Sequence, residues 1–206
     1  LEGQIDAVLS DIGADAVKIG MLHSAEVATL VAGMLEKYEI RNVVLDPVMV
    51  STSGHRLIEE SAIDTIKDRL LPLSRVLTPN IPEAEILVGR KISGESDFPE
   101  VAENLARTYG VSVLLKAGHL NGDTLTDYFY NVEDATMTLM PSQRVVTMNT
   151  HGTGCTLSSA FAAALAKGLD LTAAAKSAKA YLEQAIISGA DYKIGHGHGP
   201  VNHFWR

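Results

Sequence analysis

The sequence carries one cysteine, Cys155, in 206 residues. No internal disulfide can therefore staple the fold, and a reducing, cytoplasmic setting is expected. Basic residues are in deficit, 17 Lys and Arg against 25 Asp and Glu, for a formal net charge of −8. That balance suits a polyanion poorly, so nucleic acid is not an expected partner, although backbone amides and one or two placed cations can still hold a small phosphorylated ligand. No apolar run approaches the roughly 20 residues of a membrane span, and none resembles a secretory h-region. Walker A spacing is absent, and no Gly-x-Gly-x-x-Gly follows the first strand, so neither P-loop nor dinucleotide-fold chemistry is indicated. There is no initiator Met: Leu1 leads directly into an amphipathic stretch with Ile5, Val8 and Leu9 at helical spacing, so the true N-terminus is expected to lie upstream.

What is present is 46% hydrophobic and 20% charged, the composition of a compact soluble chain, and the length suits one α/β domain. Ala14 to Gly20 reads as a strand closed by Gly20. A helix follows, with Ser24 as N-cap, Glu26 in its first turn, and Val27, Leu30, Val31, Met34, Leu35 and Tyr38 at helical spacing. Val43-Val44-Leu45 is a two-sided apolar run ending at Asp46-Pro47, as in a strand covered on both faces. Ile63, Ile66 and Leu70 mark a helix. Arg75 to Thr78 marks a strand, after which Glu83 opens another helix. Asp97 and Glu100 have capping-box spacing before a helix carrying Val101, Leu105, Ala106 and Tyr109, and Val111 to Lys116 reads as strand.

Such alternation predicts a three-layer, mostly parallel sheet with helices on both faces. Residues 125–131 and 135–139 read as an antiparallel hairpin at one edge. Two helices rich in small residues, 154–167 and 172–188, end the chain, with Gly168 and Gly189 as C-terminal stops. Met34, Tyr38 and Tyr109 read as core by their spacing.

Ligands of open α/β sheets bind at the carboxyl ends of strands. In Gly152-Thr153-Gly154-Cys155 a glycine turn opens a helix without a charged residue until Lys167. The free amides and macrodipole there favour an anion and would favour a thiolate at Cys155. The plainer alternative is a buried small hydrophobe beside helix-packing glycines. Asp46 and Glu83 each follow a strand and could hold Mg²⁺, while Glu83 could equally serve only as a first-turn helix carboxylate. Lys116, ending a buried strand, needs an anionic partner, and a phosphate would serve. His196, His198 and His203 invite a metal reading, but no Cys or carboxylate sits at zinc spacing and the interleaved glycines favour a tight loop.

Four segments in this order and spacing resemble the hydroxymethylpyrimidine/phosphomethylpyrimidine kinases of the ribokinase-like superfamily. They are Asp15-Ala16-Val17-Lys18-Ile19-Gly20-Met21-Leu22, Val44-Leu45-Asp46-Pro47-Val48-Met49, Leu77-Thr78-Pro79-Asn80-Ile81-Pro82-Glu83-Ala84 and Asn149-Thr150-His151-Gly152-Thr153-Gly154-Cys155-Thr156-Leu157. The resemblance runs over 4–204 and includes the terminal Gly-Pro-Val-Asn-His-Phe. It implies a single ribokinase-like kinase domain over 1–206, from which the family's opening strand and glycine-rich loop are absent.

The activity implied is transfer of the ATP γ-phosphate to 4-amino-5-hydroxymethyl-2-methylpyrimidine and then to its monophosphate. In that reading Cys155 is the general base, and the amides of Gly152, Thr153 and Gly154 surround the moving phosphoryl group. Asp46 and Glu83 organise Mg²⁺. Asn80, Lys116 and His151 lie near the nucleotide phosphates, and Gly20, Met21 and Val48 line the pyrimidine pocket. The resemblance also implies a homodimer.

Two other readings share these residues. Some pyridoxal kinases end similarly but carry a second Cys in the lid loop, which here reads Val50-Ser51-Thr52-Ser53-Gly54-His55 and has none. A non-catalytic ligand-binding fragment would keep the fold without the chemistry. A thiol hydrolase would need a His set against Cys155, with His151 the nearest in sequence.

Overall fold

A computed structural model describes residues 1–50, 57–118 and 122–205. Six strands form one sheet in the order β1-β2-β3-β4-β5-β6: Val17–Ile19, Val43–Leu45, Val76–Leu77, Ser112–Leu115, Thr124–Asn131 and Thr136–Gln143. The first four pair in parallel, and β5 and β6 add an antiparallel hairpin at one edge, as the sequence predicts. The parallel strands are short because each needs only two to four residues to cross the core before its carboxyl end turns into a loop.

Helices α1 (Glu2–Asp11), α2 (Ala25–Lys37), α3 (Glu60–Thr65), α4 (Ile81–Val88), α5 (Phe98–Tyr109), α6 (Thr153–Ala166) and α7 (Leu171–Gly189) complete the described residues. Alternation along each strand divides the interior in two. Val43, Leu45, Leu77, Val113, Leu115, Tyr128 and Tyr130 face the layer that includes Leu35, Ile63, Phe98 and Leu105 from α2, α3 and α5. Val44, Val76, Leu114 and Phe129 face α6 and α7 through Leu157, Phe161, Ala174, Ala178 and Leu182. Phe161 meets Phe129 edge to face, with ring centroids 5.8 Å apart. Alanines on α6 and α7 let the two helices pack closely against one another.

Ser24 caps α2 as expected, accepting from Val27 N at 3.3 Å. The capping box expected at α5 does not form. Asp97 turns back to accept from Ser93 N at 2.8 Å, and Glu100 pairs with Arg90 at 2.9 Å, because a 3₁₀ turn at Glu95–Asp97 gives Asp97 helical backbone angles in place of the extended ones a cap requires. The helix expected around Ile63, Ile66 and Leu70 widens into a π turn at Ile66–Leu70 and tightens into a 3₁₀ turn containing Pro72.

Gly168 ends its helix region with φ +82, as a C-terminal stop should, whereas Gly189 is the last residue of α7 and keeps no positive φ. Its reason is space: a Cβ there would lie 2.8 Å from Asn202 N. The amphipathic opening forms α1 with no buried residue. Asp6, accepting from Tyr38 Oη at 2.5 Å, ties it to α2 and leaves Tyr38 half-buried instead of in the core. Among the described residues no helix is long and apolar enough to cross a membrane.

Candidate active site

The carboxyl ends of β1 to β4 bring together residues far apart in sequence. Asp46, one residue past β2, is only 1% exposed, and four groups converge on its carboxylate. Lys116 Nζ lies 2.8 Å from Oδ1, and Thr78 Oγ1 donates to the same oxygen at 3.1 Å. Lys18 Nζ lies 3.8 Å from Oδ2, and Ser158 Oγ lies 3.3 Å from the same oxygen and 3.0 Å from Gly154 O. A buried carboxylate needs such partners, since an isolated one would be neutralised. Sequence reasoning does not single out Lys18, Thr78 or Ser158 as site residues. Lys18 carries a usable signal, a charged side chain in the middle of a short strand, the same reasoning that points to Lys116. Ser158 has none, because it lies one turn into α6 and faces Asp46 only once that helix is placed.

Glu83 is 2% exposed, and its helix-capping role is real. Its Oε2 accepts from Asn80 N at 2.8 Å while Asn80 Oδ1 accepts from Glu83 N at 2.9 Å, a complete capping box for α4. It also accepts from the Met49 amide, joining the β2 loop to the β3 loop. Burial pushes its carboxyl up to about 7, the Asp46 charge adds to the rise, and Lys116 and the two amides oppose it. Asn80 and Lys116 are paired across a parallel bridge, with Lys116 N donating to Pro79 O at 2.9 Å.

The turn at Gly152 stands above this cluster. Gly152 is the N-cap of α6 with φ +85, a conformation that favours glycine, and it offers no side chain to cap the helix. Helix geometry leaves the first-turn amides of Thr153, Gly154 and Cys155 without acceptors inside the helix, and Thr153 N reaches Thr150 O in the preceding turn only at 3.4 Å. By contrast α2, α4 and α7 are capped by Ser24, Asn80 and Asp170. A Cβ on Gly154 would lie 3.4 Å from Lys116 Nζ and 3.8 Å from Asp46 Oδ2, so the helix start sits directly on the cation and carboxylate. Cys155, in the first turn, is exposed, which removes the reading of it as a buried hydrophobe.

The remaining expected residues are less closely drawn in. Gly20 lies beside the Lys18 ammonium. Met21 is 53% exposed and Val48 half-buried, on loops leaving the adjacent strands β1 and β2. His151 is exposed, and its backbone pairs with the C-terminal segment: its N–H donates to Gly199 O at 3.0 Å and its carbonyl accepts from Val201 N at 3.4 Å. The hydrogen bonds bring His203, not the His151 ring, to the first turn of α6, through Thr156. The lid loop at 51–55 lies outside the described residues. A cavity of about 570 Å³ reaches Gly152 and Cys155 but runs on between α6 and α7, past Ala160, Ala163 and Tyr181. Asp46, Glu83 and Lys116 do not line it, so the convergence of polar groups marks the chemistry better than the cavity does.

A parallel sheet whose strand ends gather lysines and carboxylates beneath an uncapped, glycine-opened helix defines a small-molecule phosphotransferase. The sequence matches the phosphomethylpyrimidine kinase family over residues 1–202, and the chain belongs to that family. It is 46% identical to the hydroxymethylpyrimidine/phosphomethylpyrimidine kinase of Rhizobium meliloti over all of this chain and 77% of that protein. It is also 46% identical to a thiamine biosynthesis bifunctional protein of Geobacter sulfurreducens, over 97% of this chain but 40% of that longer protein. Among solved structures, the pyridoxal kinase of Staphylococcus aureus in complex with AMP-PCP and pyridoxal superposes with a TM-score of 0.86 at 31% identity, covering 98% of this chain and 71% of that one. The fold is ribokinase-like.

Proposed function

We propose that the chain transfers the γ-phosphoryl group of ATP to the hydroxymethyl oxygen of 4-amino-5-hydroxymethyl-2-methylpyrimidine, and a second to the resulting monophosphate, in thiamine biosynthesis. The observation that carries this reading is the seating of Gly154 against the Lys116–Asp46 pair. It puts an anion-binding turn and a fixed ammonium on one point, as transfer of a phosphoryl group requires.

In this reading Cys155 takes the proton of the substrate hydroxyl as the new O–P bond forms. The bond between the β–γ bridging oxygen and the γ-phosphorus breaks, and ADP leaves with its electron pair. The Gly152, Thr153 and Gly154 amides, with that of Cys155, face the charge on the equatorial oxygens, and Lys116 and Lys18 offset it. Asn80 and His151 lie toward the nucleotide, and Gly20, Met21 and Val48 border the pyrimidine.

The donor set fits Mg²⁺. Burial, with the Asp46 charge adding to it, raises the Glu83 carboxyl, and a divalent cation held by the two carboxylates would favour its charged form. Among the described residues no group of three or more His, Cys, Asp or Glu side chains gathers to hold a metal. When bound, Mg²⁺ would neutralise charge on the ATP phosphates.

Residues 1–206 belong to a single kinase domain. It acts in the cytoplasm, a setting supported by the lone unpaired thiol, and as a homodimer, by family resemblance. Pyridoxal remains the competing substrate because the S. aureus pyridoxal kinase shares the fold, while the absent lid cysteine favours the pyrimidine.

Parallel assays of ADP release with the pyrimidine alcohol and with pyridoxal test the choice. Faster turnover of pyridoxal would overturn it. Cys155→Ala should lower turnover by about 10²-fold or more, and an unchanged rate would remove Cys155 from the mechanism. Light scattering at micromolar concentration should return the mass of two chains.

A further inference from the structure

The C-terminal segment 199–205 crosses the first turn of α6. Its path is fixed by Gly199 and Val201 pairing with the His151 backbone, by Asn202 N donating to Ala185 O at 2.9 Å, and by Tyr181 Oη donating to His203 O at 2.9 Å. Tyr181 also packs on Trp205, with ring centroids 5.6 Å apart. Two glycines let the segment approach: a Cβ on Gly199 would collide with the Asn149 carboxamide, and one on Gly189 would crowd Asn202. This path gives a purpose to glycines that otherwise suggest only a loop.

His203 Nε2 then lies 2.8 Å from Thr156 Oγ1, and Thr156 Oγ1 donates to Gly152 O at 2.8 Å. A threonine hydroxyl has one proton. Giving it to Gly152 leaves the oxygen as acceptor, so the hydrogen between Thr156 and His203 belongs to Nε2. Gly152 is the left-handed residue on which the orientation of the following amides depends.

We propose that this segment is a positioning strap for the anion-binding turn, with His203 acting through Thr156 on the Gly152 carbonyl. His203 is a positioning residue, and the proposal rests on the kinase reading only for its kinetic consequence. A misaligned turn would lose charge stabilisation in the transition state more than ground-state binding, and so would lower kcat rather than raise KM.

The test uses the full chain with His203→Leu, His203→Gln, Thr156→Val, Thr156→Ser and the double variant Thr156→Val/His203→Leu. His203→Leu and Thr156→Val should each lower kcat about 10-fold with both KM values within about twofold. Gln and Ser, which keep a donor and a hydroxyl, should restore most of the rate. The double variant should be no slower than the worse single one, as for two residues acting in series. A second readout does not need kinase activity: alkylation of Cys155, the only thiol, by iodoacetamide should change by the same factor in the Leu and Val variants and return in Gln and Ser.

Unchanged alkylation together with unchanged kcat, losses that multiply in the double variant, or Gln and Ser no better than Leu and Val would overturn the strap. An altered alkylation rate in variants of a parent chain that phosphorylates neither alcohol would support the strap and sink the kinase reading instead.

Discussion

Two buried aspartates sit on neighbouring parts of the sheet and are used differently. Asp46 faces two ammoniums, Lys116 and Lys18, together with two hydroxyls, and the nearby Glu83 carboxyl is held near half-protonation at neutral pH. Positive charge is in excess there, and the first turn of α6 adds to it. Asp127 on β5 accepts from Ala117 N at 2.7 Å and from Lys179 Nζ at 2.6 Å, and Glu183 lies 4.0 Å from the same ammonium. Here carboxylates outnumber the cation. The first arrangement is prepared for a further anion, whereas the second is closed and joins the end of β4 to α7. Burial alone therefore does not distinguish a site from a brace; the balance of charge does.

Breaking each aspartate should separate the two roles most widely. Asp46→Ala should cost about 10²–10³-fold in kcat, measured by ADP release. Asp127→Ala should instead cost about 3 kcal/mol of stability by leaving the Ala117 amide without its acceptor and Lys179 with only Glu183 at 4.0 Å, measured by urea unfolding, while folded protein keeps its kcat. A folded Asp127→Ala enzyme that had lost turnover would collapse the contrast.

The next effect concerns pH. Folded Glu83 keeps its proton up to about 7, whereas the unfolded chain releases it near 4.5. The unfolded state therefore binds fewer protons across that window, and stability falls as pH rises through it. Glu83→Gln should remove a decline on the order of 3 kcal/mol between pH 4.5 and 7, read as a flatter dependence of the urea midpoint on pH. Glu183, raised by partial burial and by Asp127 despite Lys179, should show the same sign with a smaller amplitude in Glu183→Gln.

The smallest effects should rank the two lysines. Lys116→Met should lower kcat/KM for ATP by about 30-fold and Lys18→Met by about 3-fold, following their distances from Asp46. Equal losses would show that both ammoniums meet the nucleotide alike.

Much of this site can be read directly in the chain. Asp46, Glu83, Lys116 and Cys155 each follow a strand or open a helix, and those boundaries are written in local signals: a two-sided apolar run, Pro47, Pro82 and the Gly152 turn. Glu83 serves both readings open to it, a capping carboxylate and a member of the polar cluster, because one carboxyl can accept two amides while lying beside Lys116. Thr78 and Ser158 escape sequence reasoning because their importance lies in distance to Asp46, which no spacing along the chain encodes, whereas Lys18 carries the same mid-strand charge signal as Lys116. The capping box at Asp97 fails for a related reason: a 3₁₀ turn set by neighbouring structure overrides the favourable residue types.

The sequence by itself determined the alternation of strands and helices, the two apolar faces of β2, and the positions of the strand ends, since these follow from hydrophobic periodicity and turn chemistry acting over a few residues. Only the tertiary structure decided which charges meet at those ends and that His203 reaches Thr156. Such contacts depend on how separately specified elements pack, and packing is settled by the shape and burial of the whole interior.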